Sequence, residues 1–190
     1  MALNPSIQFF LATSTLLSQL VLVLFLLLWI ASKFNLQASN AYQKIRNHLS
    51  KKALLYSFII ALAATGGSLY LSEIAGLTPC KLCWFQRIFM YLAFILFGIA
   101  LWYKSRDVFK YAVGLCSIGA LFALYHYSLQ VTTLFESASS TCSATGPACG
   151  VVSFMSFGYI SIPLMAFTGF VLIIVLAFQK NETHLDKNKF

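Results

Sequence analysis

The sequence predicts an all-α integral membrane protein with five spanning helices, and three observations carry that prediction. The 190 residues are 59% hydrophobic and only 9% charged, where a soluble chain carries about 25% charged residues. Five uncharged or nearly uncharged stretches each reach the roughly 20 apolar residues needed to cross the hydrocarbon core. Alternating segments of about 10 residues, the mark of a spanning β-barrel, are absent, so helices must satisfy the backbone. No internal repeat or low-complexity tract divides the chain, which implies one compact membrane unit.

The first span runs from about Ile7 to Ala31 with no charge inside it. Its length, and a leader MALNPSIQ without basic residues, favour a retained helix over a cleaved signal peptide. The second runs from about Ala53 to Ser72, the third from Trp84 to Tyr103, the fourth from Tyr111 to Gln130 and the fifth from Tyr159 to Phe178. Arg87, near one end of the third, is the one charge that enters a span. The division is then residues 1–52 as an added helix and basic linker, 53–178 as the principal unit, and 179–190 as a basic tail.

The net charge of +8 becomes readable against these spans. Lys33, Lys44, Arg46, Lys51 and Lys52 lie between spans one and two, Lys104, Arg106 and Lys110 between three and four, and Lys180, Lys187 and Lys189 after span five. All share one side of the bilayer, and Lys/Arg excess marks that side as cytoplasmic. The N-terminus then faces outward and the C-terminus inward. No basic patch is left over for nucleic acid. A transporter is disfavoured as well, because no charged pathway crosses the membrane.

This topology puts Cys80, Cys83, Cys142 and Cys149 outside, where disulfides persist, and leaves Cys116 within the fourth span as a small packing residue. Cys80 and Cys83 stand one turn apart where the third span begins, and the unpaired N–H groups of a helix N-terminus favour a thiolate. Arg87, four residues beyond Cys83, falls on the same face. Cys142 and Cys149 flank Gly146-Pro147, which lets the chain turn back on itself within a loop of about 28 residues, far beyond the usual 4–6.

Three readings fit the external cysteines. They are a redox relay, inert staples, or a tetrathiolate zinc site. A one-turn CxxC closes too short a loop to constrain much chain entropy, which weakens the staple. The six-residue spacing of the second pair and the oxidising compartment weaken zinc, so no metal is expected. Trp84 stands where covalent haem attachment needs His. Redox chemistry is the favoured reading.

The segments Gly67-Ser68-Leu69-Tyr70-Leu71-Ser72-Glu73-Ile74 and Pro79-Cys80-Lys81-Leu82-Cys83-Trp84-Phe85-Gln86-Arg87-Ile88-Phe89-Met90-Tyr91 resemble the disulfide bond formation protein DsbB family, in its short BdbC form. His126-Tyr127, Gln130, the Cys142/Cys149 pair and Ile160-Ser161-Ile162-Pro163 extend the likeness in consistent order from about Tyr56 to Phe178. Vitamin K epoxide reductase relatives place their loop cysteines before the CxxC, the reverse of the order here.

The resemblance implies a four-helix bundle, to which the first span is an addition, in the bacterial cytoplasmic membrane. It also implies reoxidation of a DsbA-like, thioredoxin-fold thiol oxidase, with the electrons passing to a membrane quinone, ubiquinone or menaquinone. Cys142 would form the mixed disulfide with the partner, Cys80 would contact the loop pair, and Cys83 and Arg87 would face the quinone. His126 either meets a quinone oxygen or packs among Tyr125, Tyr127 and neighbouring helices. Two further departures from the family are the close spacing of Cys142 and Cys149 and Leu92 in place of a proline.

Overall fold

A computed structural model of the chain describes residues 5–34, 36–105, 107–131, 149–150, 152 and 155–187. Among the described residues, five helices are long and apolar enough to cross a membrane. They are α1 (Pro5–Ala31), α2 (Leu36–Leu69), α3 (Lys81–Trp102), α4 (Val108–Val131) and α5 (Ile162–Lys187). A π-helical turn (Tyr70–Ile74) ends α2, and a hairpin of β1 (Met155–Ser156) and β2 (Ile160–Ser161) leads into α5. The protein is a multi-pass, all-α membrane protein. Helices α2, α3, α4 and α5 form a ring in which each packs on its two neighbours, and α1 lies outside against α2 and α5.

The core of the ring is made of aromatic residues set against small ones. Phe97, Phe109 and Phe170 are fully buried with Ala93, Ala112, Cys116 and Ala123. Phe97 and Phe109 pack at 5.8 Å, joining α3 to α4 next to their connecting turn. Cys116 thus occupies the packing position expected of it. Gly66, Gly67 and Gly114 face open space, while Gly98 lies under the Phe58 ring. The closest approach is at Gly119, where an added Cβ would come within 2.5 Å of Phe170. Gly119→Val should therefore cost about 1–3 kcal/mol through overpacking at α4 and α5. The check is thermal unfolding in detergent beside Gly114→Ala, which has nothing to strike and should melt like the parent.

Helix α1 buries only Ala12 and Thr15, and its exposed Leu, Val and Phe side chains are what a lipid-facing helix presents. Its hydroxyls do not need water. Thr13 donates to the Phe9 carbonyl at 2.7 Å, Thr15 to Leu11 at 2.8 Å and Ser18 to Ser14 at 2.9 Å. Gln19 ties the helix to the ring, donating to Thr168 Oγ1 at 3.2 Å and accepting from Tyr159 at 2.9 Å.

Two element boundaries differ from those expected. Helix α2 begins at Leu36 rather than near Ala53, because the basic stretch holding Lys44, Arg46, Lys51 and Lys52 is itself good helix former and continues past the apolar span. Tyr159, expected to open the last span, sits instead in the hairpin turn, where Phe157 and Gly158 both have positive φ. Pro163 follows in the first turn of α5, where a proline costs no hydrogen bond.

Candidate active site

The site is built where α2 stops and α3 starts, at the end of the ring opposite the α3–α4 turn. The π turn closes with the Ala75 amide on the Tyr70 carbonyl at 3.0 Å. Gly76 then adopts φ +69, and the Leu77 amide returns to the Leu71 carbonyl at 3.0 Å. Pro79 cannot prolong a helix, and Cys80 is extended (φ −73, ψ 172) as the N-cap of α3. Cys80 Sγ accepts from the Cys83 amide at 3.4 Å, so the sulfur does what Ser or Asp oxygens usually do at this position.

Cys80 is buried and Cys83 half-buried, and Cys80 Sγ donates to Cys83 Sγ at 3.1 Å. The Cys80 thiol is pushed up to about 12, first by that hydrogen bond and then by burial, against a weaker opposing pull from His126. Cys149 is 1% exposed and joins Cys80, Leu82 and Leu129 in one buried cluster, with Cys83 and Phe122 packed against it. Three of the four cysteines expected to act are therefore together. Cys142 lies outside the described residues, as does most of the loop expected between Val131 and Gly158.

His126 is turned towards α3 and the cysteines. It is 2% exposed, with Nε2 3.1 Å from the Cys149 carbonyl and 3.6 Å from Cys80 Sγ, and Nδ1 2.8 Å from Gln86 Nε2. A carbonyl can only accept, so Nε2 carries the proton and Nδ1 accepts from the Gln86 amide. Donors then run in one direction, from Gln86 to His126, from His126 to the Cys149 carbonyl and the edge of Cys80, and from Cys80 to Cys83. Cys83 Sγ is the accepting end. Phe122 on α4 stacks with Phe85 at 5.1 Å and Phe89 at 5.7 Å, which holds α3 and α4 in the register that lets Gln86 meet His126.

Arg87 turns inward rather than reaching out to headgroups, and is 8% exposed. Its Nε donates to Tyr91 Oη and its Nη2 to Ser72 Oγ, each at 2.9 Å. The guanidinium also lies over the Trp84 and Tyr91 rings, at 5.0 and 5.7 Å. Glu73 accepts from Ser72 at 3.1 Å, so it meets Arg87 through that hydroxyl. The positive charge remains within electrostatic reach of Cys83.

Sequence reasoning missed Gln86 and Ser72. Gln86 follows CxxC by three residues on a helix and carried its own signal, an amide inside an apolar span. Ser72 carried none, because only the π turn rotates it towards Arg87.

Residues 50–179 match the family model described as disulfide bond formation protein DsbB. A probable disulfide formation protein C of Bacillus cereus is 41% identical over 138 residues, 70% of this chain and 94% of that protein. A probable disulfide formation protein of Oceanobacillus iheyensis is 39% identical over 131 residues, 67% of this chain and 90% of its own. Another, from Coxiella burnetii, is 37% identical over 130 residues, covering 68% and 86%. No solved structure matches. A CxxC thiol pair at the start of a membrane helix, together with relatives of this length and identity, places the chain in the DsbB family of disulfide bond formation proteins.

Proposed function

We propose that this chain is a thiol:quinone oxidoreductase that reoxidises a DsbA-like, thioredoxin-fold thiol oxidase on the outer face of the cytoplasmic membrane. The observation that carries the reading is the shared burial of Cys149 with Cys80 and Cys83 at the start of α3. Staples would have no reason to bring separate pairs together. The basic residues at the opposite end of the ring support the orientation, with the cysteines outside and the C-terminus cytoplasmic.

The relay balances as two thiol–disulfide exchanges. A partner thiolate attacks the Cys142–Cys149 disulfide at Cys142. The partner's second thiolate then displaces Cys142, leaving the partner oxidised and the loop pair a dithiol. That dithiol attacks at Cys80, closes again, and leaves Cys80 and Cys83 reduced with the same two electrons. A quinone, when bound, supplies the acceptor for two electrons and two protons.

The donor set fits such a group. Cys83 is half-buried beside the exposed Trp84 and Phe85 rings, an apolar surface open to lipid, and Arg87, one turn on along α3, offers a cation fixed over the Trp84 ring. Cys83 and Arg87 would hold the quinone. Both nitrogens of His126 already have partners, so it serves the relay through Cys80, whose proton it helps position at Sγ.

Purified protein given a reduced thioredoxin-fold oxidase and a soluble quinone should consume one quinone per disulfide formed. In cells depleted of quinone, thiol trapping should find Cys80 and Cys83 reduced. Cysteines that stay oxidised under depletion would identify inert staples and end the proposal.

A further inference from the structure

We infer that the reduced site is also a binding site for a thiophilic divalent cation, held by Cys80, Cys83 and His126 and available only in the dithiol state. Among the described residues these three ligand atoms lie within 4.8 Å of one another. This set is not the tetrathiolate weighed from the sequence. It uses one cysteine pair and a histidine on the facing helix.

The distances are close to what zinc requires. Tetrahedral coordination with Zn–S near 2.3 Å and Zn–N near 2.0–2.1 Å puts sulfur and nitrogen about 3.6 Å apart and two sulfurs about 3.8 Å apart. Cys80 Sγ and His126 Nε2 are already 3.6 Å apart, and the two sulfurs, at 3.1 Å, need only open slightly. Cys83 is half-buried and follows the cap by one turn, so a change at its χ1 provides the opening.

The surroundings are those of a ligand histidine. Its ring is oriented from behind by Gln86, 2.8 Å from Nδ1. For Nε2 to take a cation it must give up its hydrogen bond to the Cys149 carbonyl and its proton must move to Nδ1, and Gln86 accommodates this by turning its amide so that the oxygen accepts. An amide suits both arrangements, where a lysine could only donate and a leucine could do neither. Binding then displaces two thiol protons, moves no electrons, and leaves a fourth position for water. Once the disulfide closes, neither sulfur retains the charge that a cation needs.

A cation captured here would hold the pair reduced and block its oxidation. The binding rests on the geometry alone, whereas the block on turnover rests on the proposed relay. The test therefore reads binding without turnover. Full-length Cys142→Ser protein, purified in detergent and reduced with a phosphine, is titrated with cadmium, and the ultraviolet sulfur-to-cadmium charge-transfer band is followed. Zinc is then used to compete.

One cation per chain is expected, with about two protons released and the band lost on adding zinc. His126→Gln should weaken binding about 10–100-fold, on the scale of lost metal-site support, and Gln86→Leu by a smaller factor. Cys116→Ser should bind like the parent, and unmutated protein in the disulfide form should bind none. Equal affinity in His126→Gln and the parent would reduce the site to a bare dithiol and overturn the inference, as would binding by the disulfide form. Tight cadmium binding by Cys142→Ser, beside failure of the unmutated protein to reduce quinone, would sustain the inference and remove the relay.

Discussion

Cys83→Ser is expected to abolish electron transfer to quinone, a fall of at least ~10³-fold, the order seen when a reacting nucleophile is removed. The substitution is sharp because so little else changes. A serine hydroxyl still accepts the hydrogen bond that Cys80 Sγ gives to position 83, and the cap at Cys80 still receives the backbone amide. The helix start, the burial of Cys80 and the Gln86–His126 contact should all survive. What is lost is the second electron of the pair, since an alcohol oxygen cannot form a disulfide.

Cys80, left without its partner, should instead attack the loop disulfide and stop there. Peptide mapping under non-reducing conditions should find Cys80 joined to Cys142 or Cys149 in the variant and not in the parent. Cys116→Ser is the matching control, because Cys116 lies in the core among Ala112 and Ala120. Its variant should turn over normally. Undiminished quinone reduction by Cys83→Ser would remove the assignment.

The spans, their order and the CxxC at the mouth of the third helix were legible because each depends on local composition. A stretch such as Val21 to Ile30 has one physical solution in a bilayer. The start of α2 was not legible, since hydropathy reports where apolar residues begin, while a run with Lys44 and Lys51 forms helix in water or headgroups equally well. The site divides in the same way. Arg87 announced itself as a charge inside a span, but its inward turn depends on Ser72 and Tyr91, residues 15 before it and four after it, which meet only when the π turn and α3 are in place. His126 was visible as an ionisable residue near a span end, whereas its partners Gln86 and the Cys149 carbonyl come from distant parts of the chain. Pairings between helices have no periodic signature in the sequence, and that is the portion only the fold supplies.

Arg87→Ala is expected to raise the apparent quinone KM by about 10–100-fold, the range of a lost charge-assisted hydrogen bond of about 1.5–3 kcal/mol. The guanidinium is held in place from several directions. Tyr91 and Ser72 each take one N–H, and the Trp84 and Tyr91 rings cover its faces. Such anchoring leaves the charge fixed one turn along α3 from Cys83, where a developing negative charge gains from it. Lysine should rescue poorly, since a point charge on a flexible stem can neither bridge Ser72 and Tyr91 nor stack on Trp84. Ser72→Ala should give a milder rise of roughly threefold, on the scale of one neutral hydrogen bond, because the guanidinium keeps its charge and loses one support.

The alternative is that Arg87 only fastens the π turn to α3. In that case Arg87→Ala would lower the melting temperature and the amount of active protein, while the KM of the surviving fraction stayed at the parent value. Measuring KM and thermal unfolding on the same preparations separates the two. A KM that rises in the order Ser72→Ala, Arg87→Lys, Arg87→Ala while unfolding changes little requires the cation to act on the bound acceptor.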